Sequence, residues 1–194
     1  MKITLGKPGP EGVAPNVVDR KFNPTGPGKI LAGDITYLWA GGRWVYLAVV
    51  LDLFNREVLG WKLSEHVDEA LAVDALRQAV GNTRLDRGWL MHTDQGATYT
   101  AQRHVGAVKA LGGVPSMSRR GNCWDNSCVE SFFGTLKTEL GVSSWKTFHE
   151  LELDLFVYID GFYNRTRLHS TLGYLSPQQR LEQFRAAQKN LVVA

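Results

Sequence analysis

The chain is 194 residues long, 44% apolar, with a formal net charge of +3, enough for one substantial core and short for two. That charge permits an anionic partner without demanding one. The two cysteines, Cys123 and Cys128, have no second pair, which speaks against a zinc site or a disulfide framework. The longest apolar run, Trp44 to Leu51, is too short to span a membrane and no signal-peptide core opens the chain, so a cytoplasmic protein with reduced thiols is expected.

Residues 1–29 hold five of the seven prolines and five glycines, a composition that propagates neither helix nor central strand. They read as an extended arm or linker whose Lys2, Lys7, Arg20, Lys21 and Lys29 either touch phosphate or stay solvated. From Ile30 to His66, β-branched and aromatic residues concentrate, broken by Gly41-Gly42 and Phe54-Asn55-Arg56, which predicts three antiparallel strands. The middle one, RWVYLAVVLDLF, is apolar on both faces and is expected to be central. Asp68 then caps a helix with Ala72, Val73, Leu76, Ala79 and Val80 on one side and Gly81 at its end. Gly88 to Asp94 reads as a short buried strand that ends at Asp94, the carboxyl end at which open α/β sheets bind ligands. Thr100 is expected to cap a second helix with Val105, Val108 and Leu111 inward, and Val114 to Ser118 offers a fifth strand.

The stretch Gly121 to Leu140 follows a polar loop. Val129, Phe132, Phe133, Leu136 and Leu140 form one apolar helical stripe, with Glu130 at its rim and Lys137 about two turns further on. Ser127 and Glu130 match a capping box, and Asp125 also suits a cap. Two further acids, Asp34 in LAGDITYL and Asp94 in MHTDQG, sit on predicted strands among apolar neighbours, where a carboxylate needs a partner or a metal. Thr147 and Glu150 form another capping box, opening a long helix with Leu151, Leu155, Ile159 and Phe162 along one side. The loop YNRTRLHSTLGYLSP follows, and Ser176-Pro177 starts a last short helix. Three strands, then helix, strand, helix, strand, helix, make a mixed five-stranded α/β sheet flanked by helices.

Three carboxylates on two strands and a helix can converge, and hard cations such as Mg²⁺ take such oxygens together with waters and phosphate oxygens. The text GDITYL, HTDQGATYT, SMSRRGNCWDNSCVESFFGTLKTEL and FYNRTRLHSTLGYLSP resembles the catalytic core of the retroviral-integrase superfamily. It is most similar to the second-frame transposase of insertion sequences that encode transposase in two overlapping frames. The likeness covers roughly residues 14–185, and the 35 residues between Asp94 and Glu130 are the family's spacing. It implies a ribonuclease-H-like core over residues 30–142, after the arm of 1–29 and before a C-terminal helical extension over 143–194. It also implies a metal triad of Asp34, Asp94 and Glu130, with Mg²⁺ as cofactor and Mn²⁺ as its substitute, and Lys137 as a contact to the transposon end. The implied activity is cleavage and strand transfer, a polynucleotidyl transfer on element ends and target DNA, in at least a homodimer on DNA. Such proteins carry helical DNA-binding segments ahead of the core, and nothing before Pro15 reads as a helix, so either the chain is a catalytic fragment or end recognition comes from another, first-frame polypeptide.

Other side chains suit DNA by their chemistry. Arg119, Arg120, Arg165 and Arg167 match phosphate, Trp124 can stack on an unpaired base, and Asn164 and His169 lie in the same hydrogen-bonding loop as two of the arginines. Asp52 could compete with Asp34 for metal, though a hairpin-end aspartate more often orders its own turn. His92 shares the side of Asp94 and is better suited to support than to Mg²⁺. The rival readings are a nuclease of the same fold that cuts without joining, and a DNA-binding or dimerisation module without catalysis.

Overall fold

The computed structural model describes residues 12–120 and 123–193, with side chains for 12–120 and 125–190. Strands β1 (Ile30–Ala40), β2 (Arg43–Asp52) and β3 (Val58–Ser64) form an antiparallel meander, and β4 (Leu90–Thr93) and β5 (Val114–Met117) extend it in parallel. The order is β3-β2-β1-β4-β5, the expected mixed five-stranded sheet. The middle of the sheet is β1 and not β2, because the first parallel crossover returns to β1's free edge. The β1–β2 turn uses Gly41 and Gly42 with φ of 60° and 74°, a two-residue turn that matches strand twist only with left-handed residues.

Helix α1 (Glu69–Asn82) starts as expected, the Asp68 carboxylate accepting from the Leu71 N–H at 2.9 Å. Gly81 lies inside it and does not end it. Gly60 of β3 lets α1 lie close, since a Cβ there would meet the Ala75 carbonyl and the Ala79 amide. The expected Thr100 cap is not found. A short helix α2 (Ala97–Thr100) precedes α3 (Gln102–Ala110), and the Thr100 hydroxyl turns back to the Gly96 and Ala97 carbonyls. Within α3, His104 and Val108 point inward, while Leu111 follows the helix and is exposed.

Helix α4 (Ser127–Leu140) lays Val129, Phe132, Phe133 and Leu136 on one sheet face against Ala32, Leu38, Val49 and Leu51. Trp145 and the residues Leu151, Leu155, Tyr158, Ile159 and Tyr163 join that same cluster. All but Trp145 come from α5 (Phe148–Phe156) and the π-helical turns Val157–Tyr163 that continue it. The wider turn, closed by the Asn164 N–H on the Ile159 carbonyl, rotates the inward stripe by about one position. Tyr163 is therefore buried and Phe162 is not. On the opposite sheet face Leu31 and Val50 pack with Leu71 and Leu76 of α1, Val108 of α3 and Trp89. The last helix, α6 (Pro177–Val193), is 17 residues long instead of short. It opens on a reciprocal box, Ser176 Oγ accepting from the Gln179 N–H and Gln179 Oε1 from the Ser176 N–H.

The arm is not simply solvated. Val18 is buried, and the Val17 and Val18 N–H groups donate to Ser116 Oγ on β5, so residues 13–18 cover that edge. Among the described residues no helix is long and apolar enough to cross a membrane.

Candidate active site

Strands β1 and β4 run parallel in the register Ile30 with Leu90, Leu31 with Met91 and Ala32 with His92. Two residues further, the same register sets Asp34 level with Asp94. A strand's side chains alternate, so Asp34 shares the face of Ala32, the face that packs against Val129 and Phe132 of α4. Glu130 stands on the first turn of α4, exposed beside the buried Val129. The three charges act on one another: burial first, then the Asp94 and Glu130 carboxylates, lift the Asp34 carboxyl to about 7, against the lowering effect of the Ile35 N–H. Asp94 lies just past the end of β4, with one oxygen held by the Gly96 N–H at 2.9 Å. Tyr99 of α2 is buried near the aspartates; burial, and then the charges of Asp34 and Asp94, push its phenol well above the ordinary range and keep it neutral.

Among the described residues, none of the three acids is in an ion pair with lysine or arginine, and no group of three His, Cys, Asp or Glu is drawn to metal-ligand spacing. The donor set nonetheless fits a hard divalent cation. It is all oxygen, and Asp34, whose carboxyl burial raises to about 7, has no lysine or arginine ion pair among the described residues.

Glu130 is not consumed by a capping box. The residue before α4 is Asn126, which makes no side-chain cap bond, and Ser127 is already helical. Asp125 does not cap either, because the 3₁₀ turn Cys123–Asn126 carries it inward. Its fully buried carboxylate accepts from Asn16 Nδ2, Arg20 Nε, and the backbone N–H, Nε and Nη2 of Arg119, all within 2.8–3.0 Å. The Arg119 guanidinium, despite the cost of burial, then holds that carboxyl well below its usual range. His92 ties this brace to the sheet. Ser116 Oγ, accepting from Val17 and Val18, has its hydroxyl left for His92 Nδ1 at 3.0 Å, so His92 Nε2–H donates to the Asp125 carbonyl at 2.8 Å. Burial lowers the His92 pKa and favours this neutral tautomer. Asn16, Arg20, Ser116 and Tyr99 were not readable as site residues, since their partners are distant in sequence.

Residues 24–123 match the family described as integrase core domain, and residues 112–177 match a second family of the same description. The chain belongs to the integrase core domain family. It is 39% identical over 165 residues to the transposase for insertion sequence element IS904 of Lactococcus lactis, covering 84% of this chain and 65% of that protein. It is 41% identical over 168 residues to the transposase InsF for insertion sequence IS3A of Escherichia coli, covering 86% and 58%. The chain thus spans 58–65% of the length of the curated relatives it matches. Among solved structures, the catalytic core domain of HTLV-2 integrase in complex with magnesium superposes with a TM-score of 0.60 at 16% identity, covering 80% of this chain and 97% of that one. The fold is therefore the ribonuclease-H-like one.

The integrase core treats the remaining polar candidates unequally. Lys137 is exposed, its Nζ 4.9 Å from the Tyr37 ring centroid. Arg120 and Arg165 are exposed as well. Arg119 is engaged by Asp125, and Arg167 by Glu139 at 2.7 Å. Asn164 grips β3, its side chain exchanging hydrogen bonds with the Val58 N–H and carbonyl. His169 is held to about 4 by burial and then by the charges of Arg167 and Arg56, so it is neutral. The Trp124 side chain lies outside the described residues. Asp52 orders its own turn, accepting from the Gly28 and Phe54 N–H groups, and burial lifts it to about 6.

Proposed function

We infer that this integrase core is the catalytic domain of an insertion-element transposase, a metal-dependent polynucleotidyl transferase acting on element ends and target DNA. What supports the reading is the β1–β4 register, which, extended two residues past its last pair, brings Asp34 level with Asp94 on the face under the Glu130 helix. The names of the relatives at about 40% identity point the same way.

Asp34, Asp94 and Glu130 would hold one or two Mg²⁺ ions, with Mn²⁺ as substitute. Such ions, when bound, stabilise both the attacking and the leaving oxygen of a phosphodiester displacement. In cleavage, water forms a new P–O bond as the P–O3′ bond breaks, leaving a 3′-hydroxyl. In transfer, that hydroxyl forms the new P–O bond and the target's 3′ oxygen leaves, so one P–O bond replaces another and no outside energy is needed. The chain's own groups set the stage for both steps. The sheet fixes Asp34, the Gly96 N–H orients Asp94, and the neutral, buried Tyr99 lies near both. Glu130, exposed on its helix, is free to change rotamer toward the aspartates. Lys137 offers a cation to the phosphates of the bound end, and the exposed Arg120 and Arg165 could do likewise.

Two DNA segments meet in the transfer step while one triad serves one reacting phosphate, so the working unit is at least a homodimer on DNA, with a first-frame polypeptide as a further partner. A strand-transfer assay on labelled element ends with Mg²⁺ or Mn²⁺ tests the reading. Cleaved and joined products are expected. Cleavage without joining would make the domain a nuclease, and binding without either would make it a recognition module.

A further inference from the structure

Strand β1 outlasts its parallel neighbour. Its pairing with β4 ends at Ala32, while the strand continues to Ala40, and among the described residues the next backbone bridge to it is that of Trp145 with Ala40. The intervening edge starts at Asp34. Along it, three residues or about 10 Å bring the chain to Tyr37, an odd step that turns its side chain to the face away from Asp34 at this free edge, and along α4 seven residues, again about 10 Å, lead from Glu130 to Lys137. The two paths meet, since Lys137 Nζ lies over the Tyr37 ring. Tyr37, Trp39 and Trp44 form a ridge there, exposed by 56%, 37% and 49%. Trp44 stands edge-on to Tyr37 at 5.0 Å and to Trp39 at 4.9 Å, with Val142 and Trp145 closing a groove of about 500 Å³.

A cross-strand aromatic trio already steadies a hairpin. That role does not require such exposure, nor a cation at the ridge. Resting on the function inferred above, we propose that this ridge stacks unpaired bases of the DNA strand whose phosphate lies at the acids, with Lys137 on the adjoining backbone. Aromatic faces beside a cation match a single strand, whose every base has a stacking face whatever its sequence.

The test uses the full chain, and a duplex carrying an unpaired thymidine tail of about twelve nucleotides. The same duplex with an abasic tail is the control. Fluorescence anisotropy should show the base-bearing tail bound about tenfold more tightly than the abasic one, a typical size for stacking. Trp44→Leu and Tyr37→Leu, which keep apolar volume in the hairpin, should each erase that preference and leave the salt dependence unchanged. Lys137→Ala should do the reverse. Unchanged circular dichroism confirms that the variants fold. Equal binding of the two tails by the unaltered chain would overturn the proposal, as would a preference that survives both leucine variants. If strand transfer proceeds normally alongside such a result, only the ridge assignment falls. If the unaltered chain binds no DNA, the inferred function falls with it. A change in the light-scattering mass of free Trp44→Leu, with its base preference intact, would make the ridge a protein interface and also overturn the proposal.

Discussion

Replacing Asp125 with asparagine removes a fully buried charge that accepts five hydrogen bonds from Asn16, Arg20 and Arg119. Stripping one partner from a buried ion pair costs about 3–5 kcal/mol. The two arginine side chains are 46% and 52% exposed and regain water, which argues for the lower end, about 3 kcal/mol. At this chain length that is a fall in Tm of roughly 6–12 °C. Thermal denaturation at neutral pH without divalent ions measures it directly. The folded carboxyl lies below its ordinary 3.8, so in acid the unfolded chain binds more protons. The stability it contributes is complete above pH 3.8 and is lost as pH falls below that value, so the deficit of Asp125→Asn should shrink there. A Tm within about 2 °C of the unaltered chain at neutral pH would refute the brace, being less than 1 kcal/mol.

Asp34→Asn should abolish cleavage and joining while raising metal-free stability at pH 8 by about 2–4 kcal/mol, since the folded carboxyl titrates near 7 against an ordinary 3.8. A raised pKa gives stability that is full below 3.8 and lost as pH rises through 7, so the gain of the neutral variant should vanish on approach to pH 4; a loss of stability at pH 8 would assign Asp34 a structural role. Lys137→Ala should fold normally and lower the salt slope of DNA binding by about one counterion, and an unchanged slope would leave Lys137 a solvated side chain. Light scattering should find at least two chains in complexes with paired element ends, and a strand-transfer-competent complex with one chain would refute the dimer.

The strands were legible because β-branched and aromatic runs alternate with the Gly41-Gly42 and Phe54-Asn55-Arg56 turns, and the Asp68 cap was legible because its partner is three residues away. The same reasoning failed at Asp125 and Ser127. A capping motif weighs only nearby amides, whereas Asp125 is claimed by Asn16, 109 residues upstream. Phe162 was misplaced because a regular period cannot foresee a π turn. The closeness of Asp34 and Asp94 was suggested by their strands, but their alignment depends on the β1–β4 register, which no local pattern encodes.

The sheet order also sets a sequence of events in folding. The β1–β2–β3 meander pairs neighbours in the chain, so it can form before the non-local β1–β4 contact. In that order Asp34 would be seated on a formed strand before Asp94 and Glu130 arrive, and their charges would meet Asp34 only as β4 and α4 dock. Pulsed hydrogen exchange during refolding should accordingly protect the β2 amides before those of β4. Neutralising Asp94 should quicken that late docking and leave the early meander untouched.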